Sequence, residues 1–265
     1  MKRMGVLSIF FTMAVLAIAA TAPATAGTLD EIKKRGELIA GVRYDMPPFG
    51  VADQAGAVQG VDIEIVKYIA NKLGVKPKFQ QVTGQTRIPM LVNGNVDLIA
   101  AGLAKTDERA KVIDFSSIYL ESGTLFLVPK NSPIKSYRDV KGKTVATIQG
   151  TIYLVRLREK LTDFNSVTFQ EYPQAVLAVE QGKADTRMAD DGTLINLIKD
   201  RRDKFDLVGN VRDFEAYFVG LGVRKGDDEW LKYVNGVLRE MWKSGELKKI
   251  GTSHGFSYAS DFKID

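Results

Sequence analysis

Residues 38–42 read LIAGV, residues 61–73 read VDIEIVKYIANKL and residues 78–82 read KFQQV. The middle stretch repeats its apolar residues at helical spacing and is followed by Gly74, a residue type that commonly ends helices. The two outer stretches have the length of strands. A strand, a helix and a second strand in this order predict a parallel βαβ unit, which is the building block of α/β proteins.

The same alternation continues along the rest of the chain. Further strands are predicted at residues 96–100, 124–128, 144–148, 166–170, 185–189 and 216–223, and further helices at residues 86–93, 151–161, 174–181, 191–200 and 227–244. Strands and helices in alternation predict an α/β fold class built on parallel sheets.

The composition excludes several classes of function. The 265 residues are 45% hydrophobic and 26% charged, as in ordinary globular proteins. There is no cysteine, which excludes disulfides, thiolate metal sites and a lipid-anchored N-terminal cysteine. His254 is the single histidine, so metal sites and Ser/His triads are not expected, and it is predicted to lie on the surface near the C-terminus. We therefore expect no cofactor.

The first 26 residues have the layout of a cleavable export signal. Lys2 and Arg3 precede an uncharged apolar stretch at residues 5–22, and Ala24-Thr25-Ala26 matches a cleavage site. An uncleaved membrane anchor is the alternative, which the Ala-x-Ala ending and Pro23 disfavour. The chain is therefore predicted to be exported as a soluble protein without a lipid anchor. Of the formal net charge of +5, two units belong to Lys2 and Arg3, and the remainder is too small to indicate nucleic acid.

Polar residues follow the ends of several predicted strands. In open parallel sheets, ligands bind beyond the carboxyl ends of the strands, where helix N-termini also lie. The residues at these positions are Arg43, Arg87, Arg109, the Gln149-Gly150-Thr151 turn and Asp190. Three cations, one helix start and one carboxylate predict an anion-selective site with one place for a cation.

Two of these arginines begin short helices. Thr86 is predicted to cap the helix that contains Arg87, where a basic residue opposes the helix dipole and indicates an anionic partner. An exposed Arg87 is the alternative. Thr106 is predicted to cap the turn that contains Arg109, and an ion pair with the neighbouring acids at residues 107 and 108 is the alternative for that arginine.

Eight motifs, in order, make the chain resemble the periplasmic amino-acid-binding proteins of ABC importers, the type II solute-binding proteins of family 3. The resemblance covers essentially all of the sequence after the signal. The motifs are GVRYDMPPF at 41–49, GVDIE at 60–64, NGNVDLI at 93–99, TDER at 106–109, IDFS at 113–116, QGT at 149–151, GKAD at 182–185 and WKSGEL at 242–247.

The resemblance implies two doubly wound α/β lobes joined by a two-strand hinge around a cleft, the Venus-flytrap arrangement. Residues 28–119 and 219–265 would form the first lobe, and residues 120–218 the second. The family's layout places the ligand's α-carboxylate on Arg109 and on N–H groups near Thr151, and its α-ammonium on Asp190. It also places three further residues at ligand-binding positions: Gly102, Ala104 and Ile152. Relatives usually carry hydroxyl residues where this chain has Ala104 and Ile152.

The segments around Arg43 and Arg87 resemble those of glutamate/aspartate binders, in which basic residues at the matching positions hold the ligand's second carboxylate. The resemblance therefore implies an acidic amino acid, glutamate or aspartate, with another small carboxylate as an alternative. The implied partners are this ligand and a membrane-embedded ABC permease. The chain itself is expected to be a monomer that does not bind nucleic acid.

A cyclohexadienyl dehydratase-like enzyme on the same fold is the competing interpretation. It requires a general acid in the second-lobe cleft. No glutamate follows Asp190 and Asp191 to serve in that role, so we expect no catalytic residue and no enzymatic activity.

Overall fold

The computed structural model describes residues 27–258 and 262–264, and the predicted export signal at residues 1–26 lies outside them. The helices of the described residues are α1 (Thr28–Arg35), α2 (Val61–Leu73), α3 (Arg87–Val92), α4 (Asp107–Ala110), α5 (Tyr153–Lys160), α6 (Tyr172–Glu180), α7 (Asp191–Leu197), α8 (Asp228–Lys243) and α9 (Glu246–Ser253), with a 3₁₀ helix at Tyr137–Val140. The strands are β1 (Glu37–Val42), β2 (Asp45–Met46), β3 (Gly50–Ala52), β4 (Val58–Gln59), β5 (Lys76–Gln81), β6 (Leu98–Ala100), β7 (Ile113–Phe115), β8 (Leu120–Ser122), β9 (Thr124–Pro129), β10 (Thr144–Ile148), β11 (Asn165–Phe169), β12 (Thr186–Asp190), β13 (Phe205–Val208), β14 (Tyr217–Val219) and β15 (Gly222–Arg224).

A five-stranded sheet in the order β5-β1-β6-β15-β7 forms the centre of the first lobe. The strands β5, β1 and β6 are parallel, and α2 connects the first two as the βαβ pattern predicts. Helix α2 begins and ends where the sequence predicts, because Gly74 adopts the left-handed conformation with φ of 70° and donates to the last turn. The strands β15 and β7 are antiparallel to their neighbours, so the expectation of purely parallel sheets is wrong.

A second five-stranded sheet, in the order β11-β10-β12-β9-β13, forms the centre of the second lobe. Its strands β11, β10 and β12 are parallel, and β9 is antiparallel to both of its neighbours, β12 and β13. In both sheets, ligand sites are expected at the carboxyl ends of the parallel strands. The antiparallel strands β9 and β15 directly follow the two segments that connect the lobes.

The chain crosses between the two sheets at β8 and β14, which pair with each other in antiparallel register. The predicted single strand at residues 216–223 is divided here into β14 and β15, because Gly220 leaves the ladder and donates to the Leu103 carbonyl instead. The lobe boundaries themselves, residues 28–119 with 219–265 and residues 120–218, remain a proposal.

The C-terminal helices pack on the first lobe. Helix α8 buries one apolar face and is capped by Asp227, whose carboxylate accepts from the Trp230 N–H. Trp230 is fully buried and donates its indole N–H to the Asp97 carbonyl (3.0 Å). His254 is not a free surface residue: it is three-quarters buried, and its Nε2 lies 2.6 Å from Glu64 on α2.

No helix among the described residues combines the length and the apolar character that crossing a bilayer requires.

Candidate functional site

The site lies where the carboxyl ends of the parallel strands of the two lobes face each other. Arg43 directly follows β1 and Arg87 begins α3, both on the first lobe. The turn at Gly150 follows β10 and Asp190 ends β12, both on the second lobe. The structure therefore brings the residues predicted from the strand ends to one cleft.

Arg87 and Arg109 reach across this cleft to the same atom. Their Nη2 groups donate to the carbonyl oxygen of Gly150 over 3.1 and 2.9 Å. Their Nη1 groups donate to carbonyl oxygens of their own lobe, those of Ala101 (3.1 Å) and Ala104 (2.7 Å). Two guanidiniums of the first lobe thus converge on the start of a second-lobe helix.

The alternatives for these two arginines are wrong. Arg87 is only 4% exposed, and burial together with the nearby Arg109 lowers its pKa to about 10. Thr106 caps α4 as predicted, because its hydroxyl accepts from the Arg109 N–H. The Arg109 guanidinium makes no ion pair within residues 27–258 and 262–264. Burial lowers the pKa of Arg109 as well.

Thr86 does not cap α3 with its side chain, in contrast to the prediction. Its hydroxyl accepts from the Thr83 N–H (2.9 Å), and the Thr83 hydroxyl accepts from the Thr86 N–H (3.1 Å). This reciprocal pair closes the preceding loop rather than the helix, and it fixes the position from which Arg87 extends.

Arg43 has a carboxylate partner of its own, contrary to the expectation that it is unpaired. Its Nε and Nη2 donate to the two oxygens of Asp45, each over 2.8 Å, in a bidentate pair. The pair also bridges the lobes, since Arg43 donates to the Gln170 carbonyl (3.1 Å) and Asp45 accepts from the Tyr172 N–H (2.9 Å). Asp45 therefore occupies the Nε and Nη2 donors of Arg43, a residue that was predicted to hold a ligand carboxylate.

Asp190 is fully buried at the N-terminus of α7. One carboxylate oxygen accepts from the Thr193 N–H (2.8 Å) and the other from the Tyr153 hydroxyl (3.0 Å). Burial raises the pKa of Asp190 to about 6, although these hydrogen bonds oppose the shift. Asp191 points elsewhere, to Ser122 and to the Gly123 N–H, so the two acids do not form a pair.

The site contains a fourth arginine that the sequence reasoning did not assign to it. Arg187 lies in β12, all five residues of which are buried, and is itself fully buried. Its Nη1 donates to the Tyr172 carbonyl (2.8 Å), and its guanidinium carbon lies 4.9 Å from the centre of the Tyr172 ring. The signal for this residue was in the sequence, since a charged residue at a buried strand position requires a partner.

The four arginines differ in how completely their nitrogens are used. Arg43 Nη1, Arg87 Nε, and both Nε and Nη2 of Arg187 are buried and make no hydrogen bond with the described part of the chain. Buried polar groups in native proteins nearly always have partners. The cleft therefore holds guanidinium donors that the protein itself does not satisfy.

The remaining predicted site residues surround this cluster. Gly102 donates its N–H to Asp62 (2.7 Å) and accepts the Tyr217 hydroxyl at its carbonyl. Ala104 contributes only backbone, accepting from Arg109. Thr151 turns its hydroxyl to the Ile148 carbonyl (2.6 Å), and Ile152 precedes α5 without capping it by a side chain.

Two glycines let the lobes come close together at the cleft. A Cβ atom on Gly84 would lie 2.1 Å from the Gln149 carbonyl oxygen, and one on Gly150, whose φ is 73°, would lie 2.4 Å from the Gly84 carbonyl oxygen. Real side chains do not tolerate such distances. Gly84 and Gly150 thus form a point of backbone contact between the lobes.

Comparison with known families identifies the class of protein. The family model of bacterial extracellular solute-binding proteins, family 3, matches residues 38–256. The chain belongs to this family, and its two-sheet architecture is the type II periplasmic binding protein fold that the resemblance implied.

Curated relatives and solved structures support this assignment. The chain is 35% identical to the ABC transporter glutamine-binding protein GlnH of Bacillus subtilis (strain 168), covering 84% of this chain and 82% of the relative. It is 32% identical to the L-glutamate/L-aspartate-binding protein of Pseudomonas aeruginosa, covering 93% and 85%. The crystal structure of the ancestral amino acid-binding protein AncCDT-1, a precursor of cyclohexadienyl dehydratase, matches with a TM-score of 0.80 and 35% identity over 86% of this chain and 99% of that one.

Proposed function

We propose that this protein captures an acidic amino acid, glutamate or aspartate, outside the cytoplasm and delivers it to the membrane permease of an ABC importer. Membership of the solute-binding family and relatives that are named as amino-acid-binding proteins support the transport role. The export-signal pattern at residues 1–26 supports a periplasmic location, and we propose that the protein acts there as a monomer.

The observation that carries the choice of ligand is the balance of charges in the cleft. Arg43 and Asp45 neutralise each other. Arg87, Arg109 and Arg187 have no carboxylate within 4 Å among the described residues. Beyond that distance, the buried Asp62 interacts electrostatically with Arg87, and Asp190 does so with Arg187. Three cations face two carboxylates, which leaves an excess of one positive charge.

An acidic amino acid is the ligand that cancels this excess. It brings two carboxylates and one ammonium, and hence a net charge of about −1 at neutral pH. A zwitterion such as glutamine leaves the excess in place, and a cationic amino acid doubles it. Because buried charges without partners cost several kcal/mol, the balance favours the acid.

The orientation follows from the two lobes. In this proposal Arg109 and Arg87 hold the α-carboxylate together with the N–H groups at the helix start near Thr151. Each arginine gives up its bond to the Gly150 carbonyl and forms bonds to the ligand instead. Asp190 accepts the α-ammonium on the second lobe. Gly102, Ala104 and Ile152 shape the surrounding wall. A ligand held from both lobes favours the closed arrangement because it binds that state better than the open one.

We propose that binding is reversible and without turnover. Asp190 is the buried acid of the second-lobe cleft, and its hydrogen bonds to Thr193 and Tyr153 commit it to a helix cap and a fixed tyrosine. The dehydratase alternative needs a free proton donor there. Mass spectrometry of ligand recovered after incubation tests this, and conversion that scales with protein concentration would support the enzyme instead.

The ligand assignment is tested by calorimetric titration of the purified exported protein with glutamate, aspartate, glutamine, asparagine and arginine. The charge balance predicts that each acid binds more tightly than its amide by about tenfold or more, since a charge-assisted hydrogen bond contributes roughly 1.5–3 kcal/mol. Tighter binding of an amide or of arginine would contradict the acidic-ligand proposal while leaving the family assignment intact.

A further inference from the structure

Arg187 is the feature of this cleft that the proposed binding of an α-amino acid leaves unexplained. It is the second residue of β12, paired between Ala146 of β10 and Leu127 of β9, at 0% exposure. Such a position normally holds an apolar side chain, because burying a charge without partners is costly. A guanidinium at the centre of a buried sheet therefore needs a compensating group.

The second lobe itself supplies little compensation. One nitrogen of Arg187 donates to the Tyr172 carbonyl, and the guanidinium stacks on the Tyr172 ring. Its Nε and Nη2 are buried without a hydrogen bond in the part of the chain that the structure describes. These two nitrogens lie on one edge of the planar guanidinium, the edge that matches the two oxygens of a carboxylate.

The contacts of Tyr172, the neighbour of Arg187, place this guanidinium on the side of the second lobe that meets the first lobe. Tyr172 is the first residue of α6, its N–H donates to Asp45, and the guanidinium carbon of Arg43 lies 5.2 Å from its ring. The Tyr172 ring therefore lies against both Arg43 of the first lobe and Arg187 of the second. Burial lowers the pKa of Arg187, and the electrostatic effects of Asp190 and Asp45 oppose this shift.

We infer that Arg187 is the residue that holds the ligand's side-chain carboxylate and so distinguishes an acid from its amide. This inference rests on the proposed binding of an acidic amino acid and assigns its selectivity to the second lobe. The sequence resemblance assigned this role to Arg43 and Arg87, but Arg43 already carries Asp45 on the same edge of its guanidinium. Arg87 and Arg109 are both directed to the helix start where the α-carboxylate binds.

The test compares glutamate and glutamine binding to the wild type, to Arg187→Met and to Arg187→Lys by calorimetry. Methionine keeps the unbranched apolar stem and removes the charge. Arg201→Met is the matched control, since Arg201 also lies on the second lobe but forms a partly exposed ion pair with Glu180. We expect Arg187→Met to reduce the preference for glutamate over glutamine by about tenfold to a hundredfold, with most of the loss in glutamate affinity.

The control should keep the wild-type preference, and Arg187→Lys should retain part of it, because lysine keeps the charge but not the two parallel donors. An unchanged preference in a folded Arg187→Met protein would overturn the assignment of Arg187 alone. A wild type that does not prefer the acid would instead overturn the proposed function. If Arg187→Met does not fold, Arg187→Lys decides the question, since a merely structural arginine would change the melting temperature and leave the preference unchanged.

Discussion

Replacing Asp190 with asparagine separates the role of this residue in ligand binding from its effect on stability. The carboxyl group is fully buried, and burial raises its pKa from the ordinary 3.8 to about 6. In the unfolded chain the group returns to its ordinary pKa. Holding the carboxylate charged inside the folded protein at neutral pH therefore costs about 3 kcal/mol, at 1.36 kcal/mol for each pH unit between the two values.

The sign of the pH dependence follows from the same two values. Between pH 4 and 6 the folded state keeps a proton on Asp190 that the unfolded state has released, so this group lowers the free energy of unfolding as the pH rises. Asparagine cannot ionise, and it caps helices as well as aspartate does, so the bond from the Thr193 N–H is retained. Relative to the wild type, Asp190→Asn should thus gain stability between pH 4 and pH 7.5.

The assay is urea unfolding of the ligand-free protein at these two pH values, followed by circular dichroism. We expect the difference between variant and wild type to change by about 2–3 kcal/mol in favour of Asp190→Asn on going from pH 4 to pH 7.5. The exposed Asp200 gives the control, Asp200→Asn, which should show no comparable change. A variant that is destabilised equally at both pH values would refute the argument that burial penalises the Asp190 carboxylate.

Three further results are expected. First, the affinity for glutamate should fall about fivefold between pH 6 and pH 5, because Asp190, whose pKa is about 6, must be ionised to accept the ammonium, and a flat calorimetric profile would contradict this role. Second, Gly84→Ala should weaken glutamate binding by about tenfold or more in calorimetric titration, since its Cβ would lie 2.1 Å from second-lobe backbone. The control Gly236→Ala, on the open surface of α8, should leave binding unchanged and raise the melting temperature. Third, Asp45→Asn should destabilise the protein by about 3–5 kcal/mol in chemical denaturation because it leaves Arg43 buried without its partner, and a loss below about 1 kcal/mol would contradict the importance of this pair.

The elements that the sequence predicts well are those with local signals. Helix α2 is exact because a helical repeat of apolar residues ends at a glycine, and β10 is exact because a short apolar run lies between turns. The strands β7, β8 and β13 were not predicted, since each has three or four residues and pairs with partners distant in sequence. Pairing of this kind depends on tertiary contacts rather than on local preference.

The site shows the same division. The rule that ligands bind at strand ends predicts from the sequence that Arg87, Arg109 and Asp190 lie at one site. The rule does not reveal which cations already have partners, because the Arg43–Asp45 pair depends on how the loop after β1 turns back. It also misses Arg187, which lies near the start of its strand, away from the carboxyl end, and whose side chain extends to the Tyr172 carbonyl at the start of α6.

The carbonyl oxygen of Gly150, which receives bonds from both Arg87 and Arg109, bears on how long a ligand stays bound. In the arrangement proposed for the ligand, both guanidiniums leave this carbonyl and turn to the α-carboxylate, so the ligand replaces a contact between the lobes instead of adding one. The net gain on binding is the difference between the two sets of hydrogen bonds, and a smaller net gain means a shorter residence time. The Gly150 carbonyl thus limits affinity and favours rapid release of the ligand to the importer.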